Sequence, residues 1–229
     1  MNRLKTSLHQ TQLQLFVSLP ENDARLAKAA IEEGADGLKV HMNVGHRASG
    51  TSFGALSEYR DTFREIRSLF HGPLGIVPGG SIEAILPDEI EELPELGIDF
   101  YSIYAWHLPS FLLKSGKLAS TFAIDNRFDL RFLDAAKSFP MLEALEASIV
   151  PGEEYGSPLS FADLLKYRWL VENAGLPVIV PSQRKIVPQD IPALKDCGIQ
   201  VLLVGAVAIG KHEDEIRRMV HAFRNAIDR

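Results

Sequence analysis

Lys39, His41 and Asn43 occupy alternate positions in an otherwise apolar run, residues 37–43. Side chains alternate in direction along a β-strand, so these three polar residues would share one face. Polar groups on a buried face are costly unless they are paired or serve a ligand. We therefore expect Lys39 and His41 to bind an anionic substrate or move protons, with Asn43 as a further ligand-binding residue. The alternative is an internal Lys–carboxylate pair that fills space.

A carboxylate that could partner Lys39 lies in the later run Leu142–Val150. Glu146 and Ser148 alternate there with apolar residues and are expected to face the same interior. Glu146 could be a general base whose pKa is raised by burial, or it could pair with Lys39. Glu143 is the alternative if the register differs by one residue.

Two runs between these also carry polar residues of interest. Asp125 ends the run Ser120–Asp125, a position that suits a catalytic or ligand role, although Asp is also a common helix cap. In the run Ile98–Ala105, Ser102 and Tyr104 could face inward, where Tyr104 lines a pocket or simply packs.

Two loops near the C-terminus have the composition of an anion site. Hydroxyl, amide and cationic side chains follow the run Pro177–Pro181, and two small residues that leave backbone N–H groups accessible follow the run Gln200–Val204. Phosphate sites gather N–H donors and positive charge in this way. The residues predicted to bind phosphate are Ser182, Gln183, Arg184, Gly205 and Ala206.

The elements that must position these residues follow a repeated pattern of short apolar runs and helical segments, which is typical of βαβ units. Glycines precede four of the runs, where they suit helix ends. The predicted strands are Gln12–Leu19, Gly37–Asn43, Leu74–Pro78, Ile98–Ala105, Ser120–Asp125, Leu142–Val150, Pro177–Pro181 and Gln200–Val204.

Eight such units in 229 residues predict an α/β fold, a (β/α)₈ TIM barrel that forms a single domain over 1–229. A doubly wound sheet usually has a glycine-rich loop after its first strand, and the segment 18–21 has no glycine. Two segments depart from the pattern. Val44–Leu56 is long for a loop, and its role is left open. Trp106–Lys117 could form a short helix with an apolar face.

Composition narrows the function. The net charge of −6 argues against a general nucleic-acid binder. The one cysteine, Cys197, excludes an internal disulfide. There is no signal-peptide pattern, and the longest apolar run, Val201–Ile209, is far below the roughly 18 residues of a membrane helix. These features predict a soluble cytoplasmic protein without a nucleic-acid or membrane partner. No metal-ligand spacing is recognisable, so no metal and no cofactor is predicted.

The C-terminal part of the chain resembles the ribulose-phosphate-binding barrel superfamily and, within it, the N-acetylmannosamine-6-phosphate 2-epimerase group. The rest is similar only in the order of its strands and helices. By this resemblance, Gly205 and Ala206 would hold phosphate through their backbone. The similar stretches are Pro177–Val180, Lys185–Ile186, Val187–Asp190 and Val201–Ala206.

Two departures from that group matter. Its members carry an acidic residue and a glycine at the end of strand 7, where this chain has 181–184, Pro-Ser-Gln-Arg. They also carry a lysine near the end of strand 3, where this chain has 78–80, Pro-Gly-Gly. We therefore expect a divergent member with another phosphorylated substrate.

The predicted function is isomerisation, epimerisation or carbon–carbon cleavage of a small phosphorylated metabolite. Lys39 would bind or polarise the substrate, or form a Schiff base, while His41 and Glu146 move protons. One alternative is a non-catalytic barrel that senses a phosphorylated metabolite or binds a partner. Another is a prenyltransferase, which needs an apolar groove, for example from Trp106, Phe111 and Leu112. Its acidic Mg²⁺ ligands near strand 1 would be limited to Glu21. A homodimer is compatible with the sequence, although no interface signal is evident.

Overall fold

The computed structural model describes residues 2–113 and 116–229. Each of the eight predicted strands is present, with ends that differ by a few residues. The barrel strands are β1 (Gln14–Ser18), β2 (Gly37–His41), β5 (Leu74–Val77), β6 (Phe100–Tyr104), β7 (Ala119–Ile124), β8 (Leu142–Ala147), β9 (Val178–Pro181) and β10 (Val201–Val204). They form a closed barrel in the order β1-β10-β9-β8-β7-β6-β5-β2, and all pairs are parallel. The predicted TIM-barrel fold is confirmed.

Helices flank the barrel, and glycines with positive φ end several helical segments. Gly34 (φ 95°), Gly97 (83°), Gly175 (66°) and Gly198 (78°) precede the strands that the sequence predicts. The α-helices are α1 (Arg3–Leu8), α2 (Ala24–Glu32), α3 (Arg60–Leu69), α4 (Pro87–Glu92), α5 (Phe132–Ala136), α6 (Phe161–Asn173), α7 (Ile191–Asp196), α8 (Ala206–Ile209) and α9 (Glu213–Ile227).

The segment Trp106–Lys117 does not form one helix. It contains the 3₁₀ turns Ala105–His107 and Ser110–Leu113, and its positions 114 and 115 lie outside the described residues.

The lower half of the barrel interior is apolar. Phe16 and Phe100 point inward and pack with Leu4 and Leu8 of α1, which closes the N-terminal end of the barrel. A glycine on the neighbouring strand leaves space for one of these rings, because a Cβ at Gly75 would collide with the ring of Phe100. A second and larger apolar core fills the space between the strands and the outer helices.

The long segment Val44–Leu56 contains a feature that the sequence did not predict. Strands β3 (Val44–His46) and β4 (Thr51–Phe53) form an antiparallel hairpin after β2. Asn43 turns the chain out of the barrel with φ 52°, and its N–H donates to the Gly54 carbonyl over 2.8 Å. At the hairpin tip, the Lys211 ammonium donates to the Ser49 carbonyl. The hairpin is therefore attached to the barrel mouth at both its base and its tip.

Candidate active site

A buried ion pair spans the upper half of the barrel. The Lys39 ammonium lies 3.0 and 2.9 Å from the two carboxylate oxygens of Glu146, and both side chains are below one tenth exposed. Lys39 is on β2 and Glu146 is on β8, which are opposite in the eight-strand order. The strand register therefore puts Glu146 inside the barrel. Glu143 instead pairs with Lys5 of α1.

Two hydroxyl groups complete the surroundings of this carboxylate. Ser102 donates to Glu146 Oε2 over 2.7 Å, and Ser148 donates to Oε1 over 3.2 Å. Burial alone would raise the pKa of Glu146, but the Lys39 charge and the hydrogen bonds from Lys39, Ser102 and Ser148 outweigh burial and lower it. Glu146 is thus an ionised carboxylate in a site that excludes most water.

His41 lies beside the ion pair and is fully buried. Its backbone is held by Asn22, whose amide donates to the His41 carbonyl over 2.6 Å and accepts from its N–H over 3.1 Å. The ring nitrogen Nε2 is 3.4 Å from Ser18 Oγ, whereas Nδ1 has no hydrogen-bond partner within the described residues. Burial, and then the charges of His46 and Lys39, hold the pKa of His41 well below its usual value. The imidazole is therefore neutral and can accept or relay a proton.

The β3–β4 hairpin covers His41. The ring of His41 stacks on Phe53 with centroids 4.7 Å apart and lies 4.4 Å from the ring of His46. His46 Nδ1 is 2.9 Å from Ser49 Oγ, and burial lowers the pKa of His46 to about 4. Neither imidazole adds charge to the site at neutral pH.

These groups lie in a cavity of about 380 Å³ at the C-terminal ends of the strands. Burial raises the pKa of Tyr104, which lines the same space and keeps its phenol proton. Of the ten residues predicted to act in catalysis or substrate binding, six line this cavity: Lys39, His41, Glu146, Ser182, Gln183 and Gly205. Ser102, Tyr104 and Ser148, which were expected to face inward, line it as well.

Three of the predicted phosphate ligands are in the wall of the cavity, and their polar groups are partly used within the protein. Ser182 Oγ accepts from the Gly205 N–H over 2.8 Å. Gln183 Oε1 accepts from the Val150 N–H over 3.0 Å, and its Nε2 donates to the Tyr155 hydroxyl over 2.5 Å. The Gly205 amide is therefore bonded to Ser182 in this structure. Its neighbour Ala206 begins α8 and does not line the cavity.

Arg184, expected to bind phosphate, does not line the cavity. Its Nη2 lies 2.6 Å from Glu154 Oε2 and 3.1 Å from Asp163 Oδ1, and its Nη1 donates to Ser157. The side chain thus joins the loop after β8 to α6. Two carboxylates already compensate its charge.

Asp125 and Asn43 also lie outside the cavity lining. Asp125 pairs with Arg127 at 3.1 Å and accepts from Trp106 Nε1 at 3.3 Å. Asn43 donates to Glu89 over 2.6 Å, because its positive φ turns it away from the strand face shared by Lys39 and His41.

Five polar lining residues were not assigned a site role from sequence: Ser18, His46, Arg47, His107 and Tyr155. Ser18 could have been found, because it alternates with the inward-facing Phe16 on β1. The segment that holds His46 and Arg47 was recognised as unusually long. Its hairpin gives those side chains their direction, and nothing in the local pattern indicated the hairpin.

Two features are absent from the described residues, 2–113 and 116–229. They contain no group of three or more His, Cys, Asp or Glu side chains arranged to hold a metal ion. No helix among them has the length and apolar character needed to cross a bilayer.

No family model matches the chain, and no curated protein matches it. Solved structures do. Thiamine phosphate pyrophosphorylase from Pyrococcus furiosus is 14% identical with a TM-score of 0.67, and the match covers 98% of each chain. Phosphoribosyl anthranilate isomerase from Thermus thermophilus is 15% identical with a TM-score of 0.62, covering 93% of this chain and 99% of that one. The tryptophan synthase A-subunit from Pyrococcus furiosus is 14% identical with a TM-score of 0.66, covering 93% and 98%. At this identity, the likeness shows that the whole chain has the fold of these barrels.

Proposed function

We propose that this protein is an enzyme that transfers protons on a small phosphorylated metabolite, as in isomerisation or epimerisation. The observation that carries the proposal is the buried Lys39–Glu146 pair in an open cavity, next to a neutral His41. A buried ion pair usually contributes little net stability, because apolar residues of similar size can often replace it without loss. Apolar residues do fill the lower half of this barrel.

The geometry supports a division of roles. Lys39 would donate a hydrogen bond to a substrate carbonyl oxygen, and Glu146 would remove a proton from the adjacent carbon. The resulting enediolate would be stabilised by the Lys39 charge. Return of the proton from Glu146 to the neighbouring carbon gives isomerisation, whereas epimerisation requires a second acid that protonates the same carbon from the opposite face. His41 would move a proton between the oxygens.

Carbon–carbon cleavage through a Schiff base at Lys39 is less well supported. A Schiff base requires an amine that is free to attack the substrate carbonyl, whereas the Lys39 nitrogen is held by both carboxylate oxygens of Glu146 at 3.0 and 2.9 Å. Treatment with borohydride in the presence of substrate tests this route. A stable adduct on Lys39 would favour cleavage over proton transfer.

The phosphorylated substrate class has two supports. Ser182, Gln183 and Gly205 line the cavity at the positions expected for an anion site. Two of the similar solved structures, thiamine phosphate pyrophosphorylase and phosphoribosyl anthranilate isomerase, are named for phosphorylated compounds.

Proton exchange tests the proposal. The protein is incubated in D₂O with a panel of sugar phosphates, and NMR follows the loss of carbon-bound proton signals. We expect exchange with at least one compound, and we expect Glu146→Gln to abolish it. Glu143→Gln is the matched control, because it makes the same substitution on the same strand at the other end of the barrel. Exchange that survives Glu146→Gln would refute the proposed role.

The alternatives predict different outcomes. A sensor would be stabilised by a phosphorylated compound without any exchange, since ligand binding raises the melting temperature by mass action. The three residues that could have formed a prenyltransferase groove do not form one at the barrel mouth. Phe111 and Leu112 line a separate cavity outside the barrel, while Trp106 packs against Phe128 in a tilted arrangement with centroids 5.7 Å apart.

A second copy of the chain is the partner that we propose for α6. Phe161, Leu165 and Trp169 lie four residues apart on its outer face, and they are 73%, 54% and 42% exposed. They leave roughly 300 Å² of apolar side chain in water, a size at which surface patches are often functional. An antiparallel copy related by a two-fold axis at Leu165 would face Phe161 with Trp169, as an isologous contact requires. Light scattering should give a dimer mass that Leu165→Glu halves. A monomeric wild type would refute the contact.

A further inference from the structure

The cations around the cavity are not equally available to a ligand. Lys39 is paired with Glu146, and Arg184 is paired with Glu154 and Asp163. Lys211 donates to the Ser49 carbonyl. Arg47 lines the cavity and is exposed, and over the described ranges it has no carboxylate within 4 Å. It is therefore a cation at the mouth whose charge is uncompensated.

Arg47 is also held in a defined place. It follows β3 at the tip of the hairpin, where the His46–Ser49 hydrogen bond and the Lys211–Ser49 contact fix the turn. Its guanidinium lies against the backbone of Gly152 in the loop after β8. A Cβ at Gly152 would approach Arg47 Nη1 to 2.5 Å. The hairpin after β2 and the loop after β8 thus meet across the mouth, above the strands that carry Lys39 and Glu146.

We infer that Arg47 binds the phosphate group of the substrate at the mouth, so that the reacting end of the molecule points down to Lys39, Glu146 and His41. This inference rests on the proposed function for its substrate class. A guanidinium donates two parallel hydrogen bonds to a phosphate, which fixes orientation as well as affinity. Arg47 supplies the positive charge that the loops after β9 and β10 lack, because Arg184 is neutralised there and the Gly205 amide is bonded to Ser182.

The test measures binding of inorganic phosphate by thermal shift and calorimetry, with no turnover required. We expect phosphate to stabilise the wild type, and we expect Arg47→Gln to weaken binding by about tenfold or more. Arg64→Gln on α3 is the control for the change in net charge, since Arg64 pairs with Asp61 on the surface. Arg184→Gln should lower the melting temperature yet retain the phosphate-dependent shift.

Three results would overturn the inference. The first is a wild type that phosphate does not stabilise. The second is phosphate binding by Arg47→Gln that is unchanged from the wild type. The third is loss of phosphate binding in Ser182→Ala but not in Arg47→Gln. That result would place the anion at the loops after β9 and β10. The proton-exchange experiment distinguishes failure of this inference from failure of the proposed function. Failure of exchange with intact, Arg47-dependent phosphate binding would refute the reaction and leave the anion site.

Discussion

The lower half of the barrel is filled by Phe16 of β1, Phe100 of β6 and the leucines of α1, whereas the upper half holds Lys39 and His41 on β2 and Glu146 on β8. Both halves obey one alternation of inward and outward side chains, and both are shielded by the same outer helices. The fold therefore does not require charge in the upper half. Under the proposed function, close packing accounts for the lower residues and ligand chemistry for the upper ones.

The largest effect is expected from Phe100→Ala in the lower half. Removal of the ring leaves a cavity that closely packed neighbours cannot fill, so the free energy of unfolding should fall by about 4 kcal/mol. Urea unfolding followed by circular dichroism measures the loss. Phe139→Ala is the control, since that ring is 42% exposed. Phosphate binding by the folded variant should stay unchanged, and a loss of binding would contradict the division between the halves.

A smaller loss of stability is expected from Lys39→Met in the upper half. The substitution leaves Glu146 buried without its counter-charge, which should cost about 3 kcal/mol. The effect is below that of Phe100→Ala because Ser102 and Ser148 still donate to the carboxylate. The double variant Lys39→Met/Glu146→Leu should recover most of the stability and remain inactive in proton exchange. If it stayed unstable, the pair would be structural.

The histidines of the upper half should make stability depend on pH. Burial lowers the pKa of His46 from 6.5 to about 4, so the unfolded chain binds a proton first as the pH falls. Stability should therefore be full well above pH 6.5 and decline by about 3 kcal/mol towards pH 4. Denaturant titrations at several pH values should show this slope reduced in His46→Gln and retained in the surface variant His71→Gln. An identical slope in His46→Gln would contradict the assignment.

The smallest effect is expected from Asp125→Asn. Asp125 lies outside the cavity and pairs with Arg127, whose side chain is 80% exposed. Exposed pairs contribute little, so stability should change by less than about 0.5 kcal/mol. Proton exchange should be unaffected. A large loss of exchange would mean that the upper site extends to the end of β7.

The fold could be predicted from local pattern, and the site only in part. Short apolar runs and helix-ending glycines are local signals, and they gave all eight strands. Alternation within a strand also put Lys39 and Glu146 on inward faces. The helix α1 was not predicted, because six residues with Leu4 and Leu8 as their apolar pair are too few to show a period. The role of α1 is to fill the open N-terminal end of the barrel, and that end exists only once the strands have assembled.

The misplaced site residues depend on partners distant in sequence. Arg184 is neutralised by Glu154 and Asp163, which lie about 20 to 30 positions earlier, so its charge suggested a phosphate ligand that its position in the fold does not provide. Asn43 continues the alternation of polar residues along β2 in the sequence. Its backbone adopts a φ of 52°, however, which turns it away from the face shared by Lys39 and His41. Arg47 shows the opposite case, since a cation in an irregular loop acquires a direction only when the hairpin forms.

The closure of the barrel at its N-terminal end has a kinetic consequence. Leu4 and Leu8 are 0% and 6% exposed and pack against the inward rings of Phe16 and Phe100. Whatever binds above Lys39 must therefore enter and leave through the one mouth that the β3–β4 hairpin borders. Substrate and product then compete for the same passage, so product should inhibit competitively.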